Sequence, residues 1–163
     1  MTAVSPPTTL QGTEQTKHLT FTLGSESYGV PVLKVREIIR VCDITPVPQM
    51  PDYIKGVLNL RGKIIPVADL RLRFNIQRGE NQERNCIVVV QVKRTDSQPS
   101  LMGLIVDAVE EVLNISANET EPPPDFGNAF NPDYIHSIAK IKGSVKLLLD
   151  IDKVVGSMTP HSA

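Results

Sequence analysis

Residues 51–70 read PDYIKGVLNLRGKIIPVADL, and this stretch decides the fold because it recurs further along the chain. Residues 132–151 read PDYIHSIAKIKGSVKLLLDI, which matches at six of the twenty positions without a gap. In both copies a Pro-Asp-Tyr-Ile turn precedes two apolar runs, which Gly62 or Gly143 separates. A glycine between two such runs is typical of a β-hairpin turn. Each copy therefore predicts a short helical turn followed by a hairpin.

A second repeated block lies upstream of the first. Its four anchor positions Gly29, Val32, Val35 and Glu37 match, in the same order, Gly103, Val106, Val109 and Glu111. The extra residues of the second copy fall in a proline-rich connector, where an insertion costs little. Two blocks in the same order indicate an internal duplication. We therefore predict an all-β protein of two similar small β-barrels with a groove between them, where ligands commonly bind.

The chain has 163 residues, enough for one domain or two small subdomains. We expect a disordered tail over 1–17, a first barrel mainly over 18–80, a second mainly over 85–155, and a flexible tail over 156–163. The sequence leaves open whether strands are exchanged between the barrels. The net charge of −1 argues against a dedicated nucleic-acid binder. The absence of a long apolar run or a secretory signal argues against insertion into a membrane.

Motifs that carry catalysis are absent or incomplete. Residues 56–63 resemble a phosphate-binding loop, but the glycine spacing is wrong and Ile64 stands where a hydroxyl is needed. The tripeptide at 125–127 spells the Asp-Phe-Gly of kinases without the accompanying kinase motifs. The histidines are scattered and lack metal-ligand spacing. The sequence therefore predicts no catalytic residue, no cofactor and no metal site.

The segment 53–71, with its Asn-Leu-Arg-Gly core, resembles the signature of CheW-type chemotaxis coupling proteins. Supporting pieces are 21–23, 28–29 and 33–38, and the resemblance covers about 18–155. It implies two five-stranded, SH3-like β-barrels and a non-catalytic adaptor that couples methyl-accepting chemoreceptors to the histidine kinase CheA. The implied partners are the regulatory domain of CheA, the cytoplasmic tips of the receptors and other CheW-like domains. The implied location is cytoplasmic, at receptor arrays beneath the inner membrane.

The resemblance also implies where receptors bind. Glu37 and Arg61 match the acid and the arginine of the family, and the alternative is an ordinary surface ion pair. The second copy has Lys142 in place of the arginine, and lysine lacks the planar fork of donors. The family places receptor contacts near Val32 and Val35. Their repeat partners Val106 and Val109 would then line the opposite wall, although all four valines could instead be core.

The remaining site residues belong to the hairpin turns. Asn59 either stabilises its turn through its side chain or contacts a partner directly. Gly56, Gly62 and Gly143 are expected to serve backbone geometry, through a close approach or a positive φ. Two rival functions stay open from the sequence. One is a nucleic-acid-binding barrel that uses the basic segment 55–84, which is poor in stacking aromatics. The other is a structural paralogue that binds only CheW-like barrels.

Overall fold

A computed structural model of the chain describes residues 15–77, 82–93, 98–125 and 133–156. Within these residues the fold is mostly β, with two short helices, α1 over Leu70–Arg73 and α2 over Ile151–Gly156. Single 3-10 turns lie at Val32–Lys34, Gln82–Arg84 and Ala117–Glu119. The strands are β1 Gln15–Leu23, β2 Glu26–Pro31, β3 Val35–Arg40, β4 Ile54–Leu60, β5 Lys63–Asp69, β6 Cys86–Val92, β7 Ser100–Val106, β8 Ala108–Ser116, β9 Thr120–Glu121, β10 Ile135–Ile141 and β11 Ser144–Leu149.

The described strands form two sheets with the same internal order. The first sheet, called the first barrel below, runs β3-β6-β7-β5-β4. The second sheet, called the second barrel, runs β8-β1-β2-β11-β10, with the two-residue β9 added at the edge. Replacing each strand of the first barrel by its repeat partner gives the order of the second. The predicted class, all-β with two similar five-stranded barrels, is thereby confirmed.

The two halves of the chain exchange their first hairpins. The β1–β2 hairpin pairs with the strands of the second half, since β2 runs parallel to β11 and β1 pairs with β8. In the same way β7 runs parallel to β5 in the first barrel. The division at 18–80 and 85–155 is therefore corrected. Residues 35–69 combine with 86–106, and residues 15–31 combine with 108–149.

The boundary of the N-terminal tail also moves. β1 begins at Gln15, which pairs with Ser116 of β8. Residues 15–17 therefore belong to the sheet rather than to the tail expected over 1–17, because a cross-strand partner is available to them. The rest of that tail lies outside the described residues. So does the expected C-terminal tail, apart from Gly156, which ends α2.

The largest core lies where the two barrels meet. It unites buried side chains of both exchanged hairpins with those of the terminal helix, including Phe21, Val90, Leu104 and Val154. A second core fills the interior of the first barrel around Ile65. The second barrel has a smaller interior core of Ile115, Ala139 and Leu148. Hydrophobic burial across the junction binds the exchanged hairpins in place.

A buried ion cluster also joins the two barrels. Arg71 at the start of α1 donates to Asp69 at 2.9 Å and to Asp107, between β7 and β8, at 2.7 Å. Asp107 accepts in addition from the backbone N–H of Gly24 in the exchanged β1–β2 turn. Burial opposes the charge of Arg71, but the two carboxylates outweigh it and raise the pKa of the guanidinium. The cluster therefore ties the exchanged hairpin to the first barrel.

Candidate functional site

Glu37 and Arg61 meet on the surface of the first barrel. Nη1 of Arg61 lies 2.7 Å from Oε1 of Glu37, and Nη2 donates to the same oxygen. This contact joins β3 to the tip of the β4–β5 hairpin. The Arg61 side chain is 67% exposed and that of Glu37 28% exposed. The pair is thus held in place while most of the Arg61 side chain stays accessible to another molecule.

The hairpin tip that carries Arg61 has an unusual backbone. Arg61 has φ of 52° and Gly62 has φ of 87°, so both central residues of the turn are left-handed. That geometry suits a tight hairpin but costs energy for a side chain such as arginine. Oδ1 of Asn59 accepts from the N–H of Gly62 at 2.7 Å and stabilises the turn. Asn59 thus orients Arg61, while its side chain remains exposed.

The equivalent turn of the second barrel has the same backbone without the same pair. Lys142 has φ of 51° and Gly143 has φ of 80°. Among the described residues, Lys142 and Glu111 form no salt bridge, although they occupy the positions of Arg61 and Glu37. The described acid–base pair at the hairpin tip is therefore specific to the first barrel.

Gly56 in β4 allows a close backbone approach. Its φ is 138°, and a Cβ built there would lie 1.9 Å from the carbonyl oxygen of Thr45. Thr45 exchanges two backbone hydrogen bonds with Val57, at 2.8 and 2.9 Å. Without a side chain at Gly56, the 41–53 connector can close against β4.

The four candidate valines lie at the junction of the barrels rather than on two open walls. Val32, Val35 and Val109 are half-buried and pack against the large core. Val106 is fully buried, at 0% exposure, so the expectation that it contacts a receptor is corrected. Val106 faces the core because the β1–β2 hairpin covers β7 on that side. Among the four, Val32, Val35 and Val109 keep surface for a partner.

Several exposed aliphatic side chains were not among the candidate contacts. Leu33, between Val32 and Lys34, is 87% exposed. Ile38 and Ile64 are exposed on the first barrel, and their repeat partners Val112 and Val145 are exposed on the second. The alternation of the strands could have indicated that Ile38 faces opposite to Glu37. Each barrel thus presents the same two aliphatic positions to solvent.

Other kinds of site do not assemble in the described part of the chain. No group of three or more His, Cys, Asp or Glu side chains there could hold a metal ion. None of its helices has the length and hydrophobicity that crossing a bilayer requires. A cavity is present, and its lining combines residues of the second barrel with Lys34 and with Leu149 and Ile151 of the core between the barrels. Two equivalent barrels with exposed apolar positions and one held ion pair define a protein-binding module.

Comparison with known proteins gives the family. Residues 17–158 match the model of the CheW-like domain, so the chain belongs to the CheW family. It is 37% identical to the chemotaxis protein CheW of Klebsiella aerogenes, over 85% of this chain and 81% of that protein. It is 32% identical to CheW of Treponema pallidum, over 88% of this chain and 84% of that protein.

A solved structure supports the same assignment. The scaffolding protein TtCheW from Thermoanaerobacter tengcongensis matches with a TM-score of 0.75 and 35% identity, over 86% of this chain and 92% of that one. The chain is accordingly a non-catalytic adaptor of chemotaxis signal transduction and not an enzyme. Its two barrels are the SH3-like pair that the resemblance implied.

Proposed function

We propose that this adaptor binds the cytoplasmic tips of methyl-accepting chemoreceptors through the first barrel and the regulatory domain of CheA mainly through the second. The observation that carries this division is the Glu37–Arg61 pair, which has no described counterpart at Glu111 and Lys142. Two barrels with the same fold can serve two partners only if their surfaces differ. The proposed location is cytoplasmic, at receptor arrays beneath the inner membrane.

The receptor surface combines a polar and an apolar part. Val35 and Glu37 face opposite sides of β3, because the pairing with β6 shifts between them and sets Val35 opposite Val90 but Glu37 opposite Val89. Arg61 presents a planar fork of donors. Glu37 fixes the orientation of this fork, because one carboxylate oxygen accepts from both Nη1 and Nη2. Acceptors at a receptor tip would bind the donors that remain, and the exposed Leu33, four residues before Glu37, would add an apolar contact. Fixed orientation lowers the entropy lost on binding.

The proposed kinase surface lies on the second barrel. Val112 and Val145 are exposed on the second barrel, at the positions of Ile38 and Ile64 on the first. The regulatory domain of CheA resembles CheW itself, so it would present equivalent aliphatic positions of its own. Apolar patches that match in this way favour barrel-to-barrel docking. The same reasoning extends the proposal to other CheW-like domains as partners.

Binding measurements separate this proposal from its rivals. The full chain would be titrated against a receptor cytoplasmic fragment, against CheA and against single-stranded nucleic acid. The proposal expects saturable binding to the first two and none to the third. Binding to CheA alone would favour the structural paralogue. Salt-sensitive binding to nucleic acid would favour the barrel that uses residues 55–84.

The division between barrels needs its own pair of variants. Val145→Ser would reduce CheA binding and leave receptor binding near the wild-type value. Ile64→Ser is the matched control, because it makes the same kind of change at the equivalent position of the other barrel. If the two variants weaken CheA binding equally, the kinase does not distinguish the barrels and the proposed division is wrong.

A further inference from the structure

A cavity of about 630 Å³ is lined by the strands of the second barrel, by α2 and by Lys34. Its apolar walls include Ile115, Leu148 and Ile151, and His18 and Ser137 are among its polar groups. A volume of this size is in the range that small organic ligands occupy. The mouths of β-barrels are common places for such sites. The residues of the proposed receptor surface do not line it.

In the first barrel, six buried aliphatic side chains fill the equivalent interior. Strand pairing fixes which residues of the second barrel take their places. Gly29 and Gly103 are repeat partners, so the pairing of His18 with Pro31 is equivalent to that of Ile87 with Ile105. The six filling residues Leu58, Ile65, Val67, Ile87, Val89 and Ile105 thus correspond to Ala139, Lys146, Leu148, His18, Thr20 and Pro31.

These sequence differences remove apolar volume from the interior of the second barrel and add polar groups to it. Leucine becomes Ala139, and isoleucine becomes His18 in one place and Lys146 in another. Removing buried methylene groups costs stability, and polar groups placed inside a barrel need hydrogen-bond partners. Three of the six residues, His18, Pro31 and Leu148, line the cavity. The divergence of the two copies therefore places a polar ring, that of His18, in the cavity wall where the first barrel has an isoleucine.

His18 directs a hydrogen-bond acceptor into this cavity. The residue is 8% exposed, and its Nδ1 lies 3.2 Å from the carbonyl oxygen of Thr16. A carbonyl only accepts, so Nδ1 carries the proton and Nε2 of the neutral ring keeps a lone pair. Within the described residues Nε2 has no hydrogen-bond partner. Burial, reinforced by nearby His136, lowers the pKa of His18 against the opposing effect of Thr16, so the ring is neutral near pH 7.

The charged groups around the cavity favour a cation over an anion. Asp150 and Asp152 face one ammonium group, that of Lys34. Nζ of Lys34 already lies 2.9 Å from Asp152. An anionic ligand would therefore meet excess negative charge and a bare imidazole lone pair. A ligand that donates hydrogen bonds and carries positive charge meets acceptors instead.

We propose that this cavity binds a small primary amine in its protonated form. The ammonium group donates to Nε2 of His18 and is attracted by Asp150. The carbon chain of the amine packs against Ile115 and Leu148, which line the cavity. The adaptor thereby has a ligand site that is separate from its proposed receptor surface.

The test uses three probes of equal length, hexylamine, hexan-1-ol and hexanoate, added to the full chain. Binding is followed by calorimetry and by NMR shifts of the His18 ring and of the Ile115 and Leu148 methyl groups, which line the cavity. We expect saturable binding of hexylamine, with the alcohol and the carboxylate weaker by about tenfold or more. No saturable shift with hexylamine, or equal affinity for hexanoate, would overturn the proposal.

Two variants change residues that line the cavity. His18→Ile removes the acceptor, and Ser137→Leu fills space in the cavity while His18 is kept. We expect either change to weaken hexylamine binding by about tenfold or more in protein whose melting curve shows that it is folded. If hexylamine binds both folded variants as tightly as it binds the wild type, it binds at another place and the assignment fails. Because the variants act independently, one that does not fold leaves the other to decide.

Discussion

Arg71→Met tests how the exchanged hairpin is held, because it removes the cation from a fully buried cluster. The Arg71 side chain is only 4% exposed, and it pairs with both Asp69 and Asp107. Methionine keeps much of the volume but leaves two buried carboxylates without their counter-charge. Breaking a buried pair from one side costs about 3–5 kcal/mol. We expect a loss of that size in the free energy of unfolding.

The second copy supplies a matched control. Lys34 pairs with Asp152, which also accepts from the backbone N–H of Lys93, as Asp107 does from that of Gly24. The two side chains are 34% and 33% exposed, so water screens them. Lys34→Met should therefore cost only about 0–1 kcal/mol. The two substitutions differ in the burial of the pair and in the number of carboxylates that lose their cation.

Denaturant unfolding of the wild type and of both variants measures these losses. Equal losses for the two variants would refute the reasoning. A triple replacement of Asp69, Arg71 and Asp107 by apolar residues should recover part of the loss.

Three further predictions concern single residues. Gly56→Ala should lower the free energy of unfolding by about 3 kcal/mol or more, because its Cβ would lie 1.9 Å from the Thr45 carbonyl oxygen. Gly143→Ala meets open space and should cost only about 1 kcal/mol. Chemical denaturation measures the free energy of unfolding of both variants. Asn59→Ala should cost about 1 kcal/mol through the lost bond to the turn, in the same assay. His18 has a folded pKa below its ordinary 6.5, so its contribution to stability is full above pH 6.5 and is lost as the pH falls through the folded value. Melting curves across this range should show a smaller pH dependence for His18→Ile than for the wild type.

The repeat made much of the fold predictable. Identical turn residues at Pro51 and Pro132 and glycines at equivalent tips are enough to identify two copies of one hairpin unit in the amino-acid sequence. The strand exchange was not predictable. β2 could pair beside β5 or beside β11, since both offer a parallel edge with a similar apolar pattern. Only the way the whole chain packs decides between these partners.

The candidate site was predictable where it depended on polar residues. Glu37 and Arg61 match the acid and the arginine of the family, so the resemblance implied their contact, which the structure contains. Aliphatic residues gave less information, because Val106 and Leu33 have similar sequence surroundings and opposite exposure. The cavity around His18 was missed for another reason. β1 and β6 are repeat partners with little sequence identity, so the loss of an isoleucine at His18 became visible only from strand pairing.

The central claim, that the Glu37–Arg61 surface binds the receptor, is tested most directly by titrating charge variants against a receptor cytoplasmic fragment and against CheA. Arg61→Glu places two acids together and removes the donors, so receptor affinity should fall by about tenfold or more. Its stability should fall by only about 1 kcal/mol, because the site is exposed. CheA binding should change less than receptor binding.

Two further variants make this measurement decisive. Lys142→Glu is the matched control at the equivalent turn of the second barrel, and it should leave receptor binding near the wild-type value. The exchange of Glu37→Arg with Arg61→Glu should recover part of the receptor affinity that Arg61→Glu alone loses. If instead Arg61→Glu weakens both partners equally and in step with a large drop in melting temperature, Arg61 is structural and the account is contradicted.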